Sequence, residues 1–181
     1  MLNGAEELFE KLMDDRISAL IAPTKIAVEL CKTYFSNFSK IEKKFHRIPP
    51  AVVTKDFCEK RVAGCINLLF IGNKFWGKGG NIAIAVTNTL NRQGIPAVLK
   101  MVCNDVPADY AVSEHVDVIV SRKLDEKEKR RLYESADLFL FPVLHDSFGV
   151  HLECLEYSVP MITTDIYDKS EVIKQGVSGY L

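Results

Sequence analysis

The chain has 181 residues, with 23 Lys and Arg against 24 Asp and Glu, and therefore a formal net charge of −1. Its composition, 48 % hydrophobic and 26 % charged, is typical of a globular protein and excludes collagen-like, low-complexity and disordered chains. The near-neutral balance also argues against nucleic acid as a partner, because it provides no basic surface for non-specific binding. Any phosphate that the protein binds must be held by local geometry.

The cysteines and the first residues indicate an intracellular protein. Five cysteines are an odd number, and none are in C-x-x-C spacing, which is typical of reduced thiols. The amino terminus lacks the basic and apolar regions of a signal peptide, and no apolar run approaches the ~20 residues of a membrane span. We therefore expect a cytoplasmic protein whose association with a membrane, if any, is made through a partner.

The first third of the chain predicts a helix, a strand, a second helix and a linker. Apolar residues at helical spacing cover residues 5–14, and a short apolar run covers residues 17–22. Thr24 is predicted to cap a helix whose apolar positions extend from Ile26 to Phe38. Residues 36–60 are basic and then extended, which indicates a linker. We assign residues 1–45 to the remnant of one domain, 46–64 to the linker and 65–181 to a second domain.

From residue 65 onward, strand and helix patterns alternate. Strands are predicted at residues 66–71, 97–103, 116–120, 137–141 and 160–163, and helices at 79–92, 126–135 and 148–157. Continuous apolar strands joined by helices are typical of a doubly wound, Rossmann-like α/β fold with a parallel sheet. Ligands in this fold bind beyond the carboxyl ends of the strands.

Both ends of the sequence look incomplete. A strand and two helices precede the linker, and a further apolar segment begins at residues 176–181. We therefore expect an excerpt of a larger two-domain architecture, or one half of a split one. Apolar surface should be exposed where a missing domain would pack, at Leu8, Phe9, Ile17 and the helix over 26–38, so self-association is expected.

The first candidate site is the segment Gly72-Asn73-Lys74-Phe75-Trp76-Gly77-Lys78-Gly79-Gly80, between a strand and a helix. A helix amino terminus offers N–H groups, glycines let the backbone approach an anion, and Lys78 adds a full charge. This pattern favours phosphate binding, although it is neither Gly-x-Gly-x-x-Gly nor a P-loop. Trp76 either packs the loop or shields the phosphate.

The second candidate site follows the strand at 137–141 and enters the next helix. Asp146 or Ser147 can cap that helix, Gly149 permits N–H contact with an anion, and Glu153 can line the same cleft with Asp146. Carboxylates there suit sugar hydroxyls, which donate hydrogen bonds to them. The histidines nearby have no metal-ligand spacing, so we expect no metal.

The order of these motifs resembles the carboxyl-terminal domain of GT-B retaining glycosyltransferases, and more narrowly the group 1 family that includes glycogen synthases and bacterial mannosyltransferases. The resemblance covers residues 66–181 and runs through Leu132-Tyr133-Glu134-Ser135-Ala136-Asp137, Asp146-Ser147-Phe148-Gly149, Pro160, Glu171 and Gly176-x₂-Gly179. Residues 17–60 resemble the last strand and helix of that family's amino-terminal domain and its linker.

The resemblance implies a site for a UDP- or GDP-sugar donor that needs no metal or other cofactor, because positive side chains and a helix amino terminus stabilise the departing diphosphate. The acceptor, a glycan, lipid or protein, would bind the missing amino-terminal domain. Glu153 would hold the ribose hydroxyls and Ser121 would lie beside the base. The implied catalytic residues are Asp146 and Glu153, and the implied donor-binding residues are Gly72, Lys74, Lys78, Gly79, Ser121, Phe148, Gly149 and Val150.

Two positions depart from the family pattern. Asn73 stands where the family usually has Arg, so Lys74 would have to supply that charge. The family's two glutamates are eight residues apart, whereas Asp146 and Glu153 are seven apart, which leaves His145 as the alternative first position. The sequence thus favours a glycosyltransferase domain that is inactive by itself, with a non-catalytic nucleotide-sugar-binding subunit or an interaction domain of a split enzyme as alternatives.

Overall fold

The computed structural model describes residues 3–54, 64–120, 124–144, 149–167 and 169–181. They form two compact units, Met1–Ala51 and Val52–Leu181, and each has its own hydrophobic core. In these ranges no helix has both the length and the apolar character needed to cross a membrane.

The first unit contains two helices and a two-stranded parallel sheet. Helix α1 spans Asn3–Met13, strand β1 spans Leu20–Ala22, helix α2 spans Lys25–Tyr34, and strand β2, Phe45–Arg47, pairs with β1. Thr24 caps α2 as predicted, because its side chain accepts a hydrogen bond of 3.2 Å from the Ala27 N–H. The helix predicted to reach Phe38 ends at Tyr34, and residues 38–47 contain two 3₁₀ turns and β2 that were not predicted.

The 3₁₀ turns supply the partner that α1 needs. Phe9 from α1 is buried with Phe38 and Ile41, and its ring centroid lies 4.9 Å from that of Phe35. The expectation that Phe9 and Phe38 are exposed is therefore wrong, because the chain after α2 folds back over α1. Leu8 is exposed as expected, at 51 %, and α2 has no buried residue.

The second unit is a parallel sheet of six strands in the order β5-β4-β3-β6-β7-β8, which confirms the predicted α/β fold class. Each predicted strand lies within one residue of the observed bounds. The strands are β3 (Ile66–Ile71), β4 (Ala97–Cys103), β5 (Val116–Val120), β6 (Leu138–Phe141), β7 (Met161–Thr163) and β8 (Gly179–Tyr180); the helices are α3 (Gly80–Arg92), α4 (Glu126–Ser135) and α5 (Gly149–Glu156).

Side-chain hydrogen bonds fix β6 beside β3. Asp137 Oδ2 accepts from the Asn67 backbone N–H at 2.7 Å and from the Asn67 side-chain amide at 2.9 Å, and the Asp137 N–H donates to the Asn67 carbonyl at 2.8 Å. The same two strands contribute three fully buried rings, those of Phe70, Phe139 and Phe141. Asp137, which sequence analysis used only as part of a family motif, therefore has a structural role.

Candidate functional site

The candidate site lies where the strand order of the sheet reverses, between β3 and β6. From β3 the chain continues to β4 on one side and later returns to place β6 on the other side. A crevice beyond the carboxyl ends of such strands is where ligands bind in doubly wound sheets. The Gly72–Gly80 segment follows β3, and the segment that begins at Pro142 follows β6, so the two sequence-predicted sites share this edge of the sheet.

The loop after β3 is tied down by its own backbone. The Gly72 N–H donates to the Val102 carbonyl at 2.9 Å, and the N–H groups of Lys78, Gly79 and Gly80 all donate to carbonyls within residues 74–76. These amides are therefore already paired, which differs from the expectation of free N–H groups before α3. The loop also carries two lysine side chains, of which Lys74 is exposed and Lys78 is half-buried.

A buried aromatic side chain packs the loop against the rest of the second unit. Phe75 is fully buried, and its N–H donates to Asp105 Oδ1 at 2.6 Å. Its ring meets those of Tyr110 and Trp76 edge-on, at centroid distances of 4.8 and 5.0 Å. Trp76 is itself 58 % exposed, so it packs against the loop on one side and leaves the rest of its ring in solvent.

Two glycines let the loop approach its neighbours. Gly79 has φ = +77°, and a Cβ at this position would overlap the carbonyl oxygen of Pro142. At Gly72 a Cβ would lie 2.9 Å from the Cβ of Lys78, closer than side chains tolerate. The loops after β3 and β6 are therefore in direct contact through Gly79 and Pro142.

Lys78 brings its charge to the end of β6. Its Nζ lies 5.4 Å from the centroid of the Phe141 ring, within cation–π range. On the same ring, His151 packs edge-on at 5.7 Å. Lys78, which belongs to the loop after β3, thus lies beside the end of β6 as well.

Helix α5 supplies the other side of the site. It begins at Gly149, which is exposed and where a Cβ would meet no atom of the described residues within 4 Å. Val150, the next residue, is half-buried and packs on the core. Asp146 and Phe148, together with the alternative His145, lie outside the described residues, and so does Ser121.

Glu153 lies one helical turn after Gly149 and contacts helix α4. Its Oε2 accepts a 2.6 Å hydrogen bond from the Tyr133 hydroxyl, and its Oε1 lies 3.5 Å from Lys129 Nζ. Burial above all, and then the electrostatic effect of the neighbouring Cys154 and Glu153, raises the pKa of Tyr133, which therefore stays a hydroxyl donor. Neither contact was predicted from the sequence, where Tyr133 is named only within a family motif and Lys129 is not singled out.

In the parts of the chain that the structure describes, no three His, Cys, Asp or Glu side chains are grouped to hold a metal ion. A shallow groove lined by Asn88, Asn91, Arg92 and His115 lies instead near the end of α3 and the start of β5. The Asn91 side chain is used there to donate to the Ala97 carbonyl at 2.7 Å. That groove belongs to the amino-terminal end of the strands and is separate from the candidate site.

Residues 66–181 match the family described as "Glycosyl transferases group 1". The match covers more than half of the chain, so the protein belongs to that family. No curated protein sequence matches it.

Solved structures of GT-B glycosyltransferases share the fold over part of their chains. The GtfA/B complex matches with a TM-score of 0.68 at 17 % identity, covering 91 % of this chain and 34 % of that one. A TarM variant from S. aureus, in complex with UDP and other ligands, matches with 0.69 at 14 % identity, covering 91 % and 33 %. WaaG, a glycosyltransferase of lipopolysaccharide biosynthesis, matches with 0.62 at 20 % identity, covering 84 % and 45 %. The chain thus spans less than half the length of these proteins.

Proposed function

We propose that the second unit is the donor-binding part of a retaining glycosyltransferase that transfers a hexose from a UDP- or GDP-sugar to a glycan, lipid or protein acceptor. The observation that carries the proposal is the contact between Gly79 and Pro142, since it joins two loops at the edge where doubly wound sheets bind ligands. Lys78 lies beside that contact, and Glu153 lies one turn into α5, the helix that follows the second loop.

In this proposal each residue has a defined task. Lys78 stabilises the negative charge that develops on the leaving diphosphate, with Lys74 supplying a second charge, and no metal or other cofactor takes part. Glu153 accepts hydrogen bonds from the ribose hydroxyls. Asp146, Phe148, Gly149 and Val150 contact phosphate and sugar, and Ser121 lies by the base. The acceptor attacks the same sugar face that the diphosphate leaves.

Binding of the nucleotide to the chain is the direct test. Calorimetric titration with UDP, GDP and ADP should show saturable binding of one diphosphate. UDP is the first to test, because the TarM structure was solved with it. Lys78→Ala and Glu153→Ala should each weaken binding by roughly ten- to a hundredfold, the range expected for losing a hydrogen bond to a charged group of about 1.5–3 kcal/mol.

Two controls match these variants. Lys127→Ala removes an exposed lysine of α4, and Glu114→Ala removes an exposed glutamate beside the groove at the other end of the sheet. Both should bind the nucleotide as the wild type does. An equal loss in control and test variants, or no binding by any of them at millimolar nucleotide, would contradict the donor site.

The second candidate is a non-catalytic nucleotide-sugar-binding subunit that acts with another chain. Asn73 favours it, because an amide stands where the family usually has a charged Arg. The GtfA/B complex, to which the fold is similar, contains two named components. We expect the chain alone to bind a donor without transferring its sugar, and a partner that restores turnover of the UDP-sugar would favour this candidate. If no nucleotide binds, an interaction domain remains.

A further inference from the structure

Glu153 is held by two side chains of α4 that differ in burial. Tyr133 is fully buried, and its hydroxyl donates to Oε2 at 2.6 Å. Lys129, whose side chain is 23 % exposed, bridges Glu126 at 3.1 Å and Glu153 Oε1 at 3.5 Å. Each carboxylate oxygen therefore has one partner on α4, and each still has a lone pair to offer.

Tyr133 has no freedom to swing away from this contact. Its ring is stacked on that of Tyr157, with centroids 5.0 Å apart and planes 4° from parallel, and on that of Phe139, at 5.8 Å and 9°. Leaving the buried Tyr133 hydroxyl without an acceptor would be unfavourable, which favours its hydrogen bond to Glu153. Because the stacked ring is held in place, it also fixes the direction from which the hydroxyl reaches the carboxylate. The packing of the core thereby sets the orientation of Glu153.

We propose that Tyr133 and Lys129 are positioning residues that aim the Glu153 carboxylate at the two adjacent hydroxyls of the donor's ribose. The inference rests on the proposed function and adds to it a mechanism for recognising the ribose. A carboxylate held at both oxygens presents its remaining lone pairs in one geometry, and a vicinal diol offers two donors with matching spacing.

The test compares UDP and GDP with their 2′,3′-dideoxy analogues, by calorimetry, on the wild type, Tyr133→Phe and Lys129→Met. The wild type should bind the normal nucleotide roughly ten- to a hundredfold more tightly than the dideoxy form. In both variants this ratio should fall at least about fivefold, mostly because the normal nucleotide binds more weakly. Lys127→Met replaces an exposed lysine of the same helix, α4, and should keep the wild-type ratio of the two affinities.

The outcomes separate this inference from the proposed function. A wild-type ratio that both variants retain overturns the positioning role and leaves the donor site intact. A wild-type ratio near one shows that Glu153 does not read the ribose, and absence of all binding removes the donor site itself; either result also overturns the inference. Tyr133→Phe keeps the stacked ring, and Lys129→Met tests the same carboxylate from its half-exposed side if the first variant fails to fold.

Discussion

Gly79 shows how one residue can join two loops. Its positive φ is rare for residues with a Cβ, and the space that a Cβ would need is taken by the Pro142 carbonyl. Both requirements are met only by glycine. The position therefore sets how closely the loop that carries Lys78 approaches the end of β6.

Gly79→Ala should destabilise the protein by about 2–4 kcal/mol, since the substitution adds a collision to a strained backbone. Gly94→Ala is a matched control, because Gly94 has a similar φ of +75° but no atom within 4 Å of its Cβ position. It should cost only about 1 kcal/mol. Urea unfolding followed by circular dichroism measures both, and equal losses in the two variants would contradict the close contact.

Residues of the site differed in how well the sequence could predict them. Lys78 and Gly79 lie in one continuous loop after a clear strand, so their neighbourhood follows from local order. The partners of Glu153 come from a helix about 20 residues earlier, and no local spacing brings Tyr133 or Lys129 to it. The free amides expected before α3 were also not predictable, because their use depends on how the turn closes.

At the scale of elements, Asp137 holds the strand pair on which the site is built. Its carboxylate accepts two hydrogen bonds from Asn67 at the start of β3, and its own N–H returns one to the Asn67 carbonyl. These three hydrogen bonds lie at the opposite end of the strands from the two loops. They fix β6 against β3, and hence the relative position of everything that follows β6.

Asp137→Ala should lower the free energy of unfolding by about 1–3 kcal/mol, because the Asn67 N–H loses its carboxylate acceptor. Asp117→Ala, which removes an exposed carboxylate from β5, should change stability by less than about 0.5 kcal/mol. Chemical unfolding of both variants gives the comparison. If the free energy of unfolding falls no further in Asp137→Ala than in its control, the hydrogen bonds between Asp137 and Asn67 do not stabilise the sheet.

Five of the six strands of the second unit were predictable because each is a mainly apolar run, whereas the two-residue β8 was not assigned as a strand. The helices of that unit follow from their caps and apolar spacing. In the first unit, the same approach missed β2 and the two 3₁₀ turns, since their residues form neither a continuous apolar run nor a helical apolar spacing. Their formation depends on tertiary contacts, such as the rings of Phe38 and Phe45 at 5.2 Å.

At the scale of the whole molecule, the proposed donor site draws all its residues from one of the two units. The core of the first unit is small, built on Phe9, Phe38 and Ile41, whereas the second unit has an extensive core around its sheet. Stability and nucleotide binding should therefore respond differently to changes in each unit.

Ile41→Ala removes a side chain that is 1 % exposed from the smaller core, and should destabilise the first unit by about 2–5 kcal/mol. The dissociation constant for the nucleotide should stay within about twofold of the wild-type value. Leu30→Ala, on the exposed side of α2, controls for the loss of an apolar side chain. Calorimetry on both variants decides, and tenfold weaker binding in Ile41→Ala alone would show that the first unit contributes to the site.

The strand order also has a consequence for folding. β3 pairs with β4 through residues such as Leu68 and Leu99, but its pairing with β6 joins Leu68 to Leu138, 70 residues along the chain. Closing a loop of that length costs about 4 kcal/mol of chain entropy, more than the shorter closure with β4. Long-range pairings of this kind slow folding, so the two loops of the proposed donor site should meet late in folding. A nucleotide that contacts both loops would then favour the folded state, because it stabilises only the chain in which β6 has paired with β3.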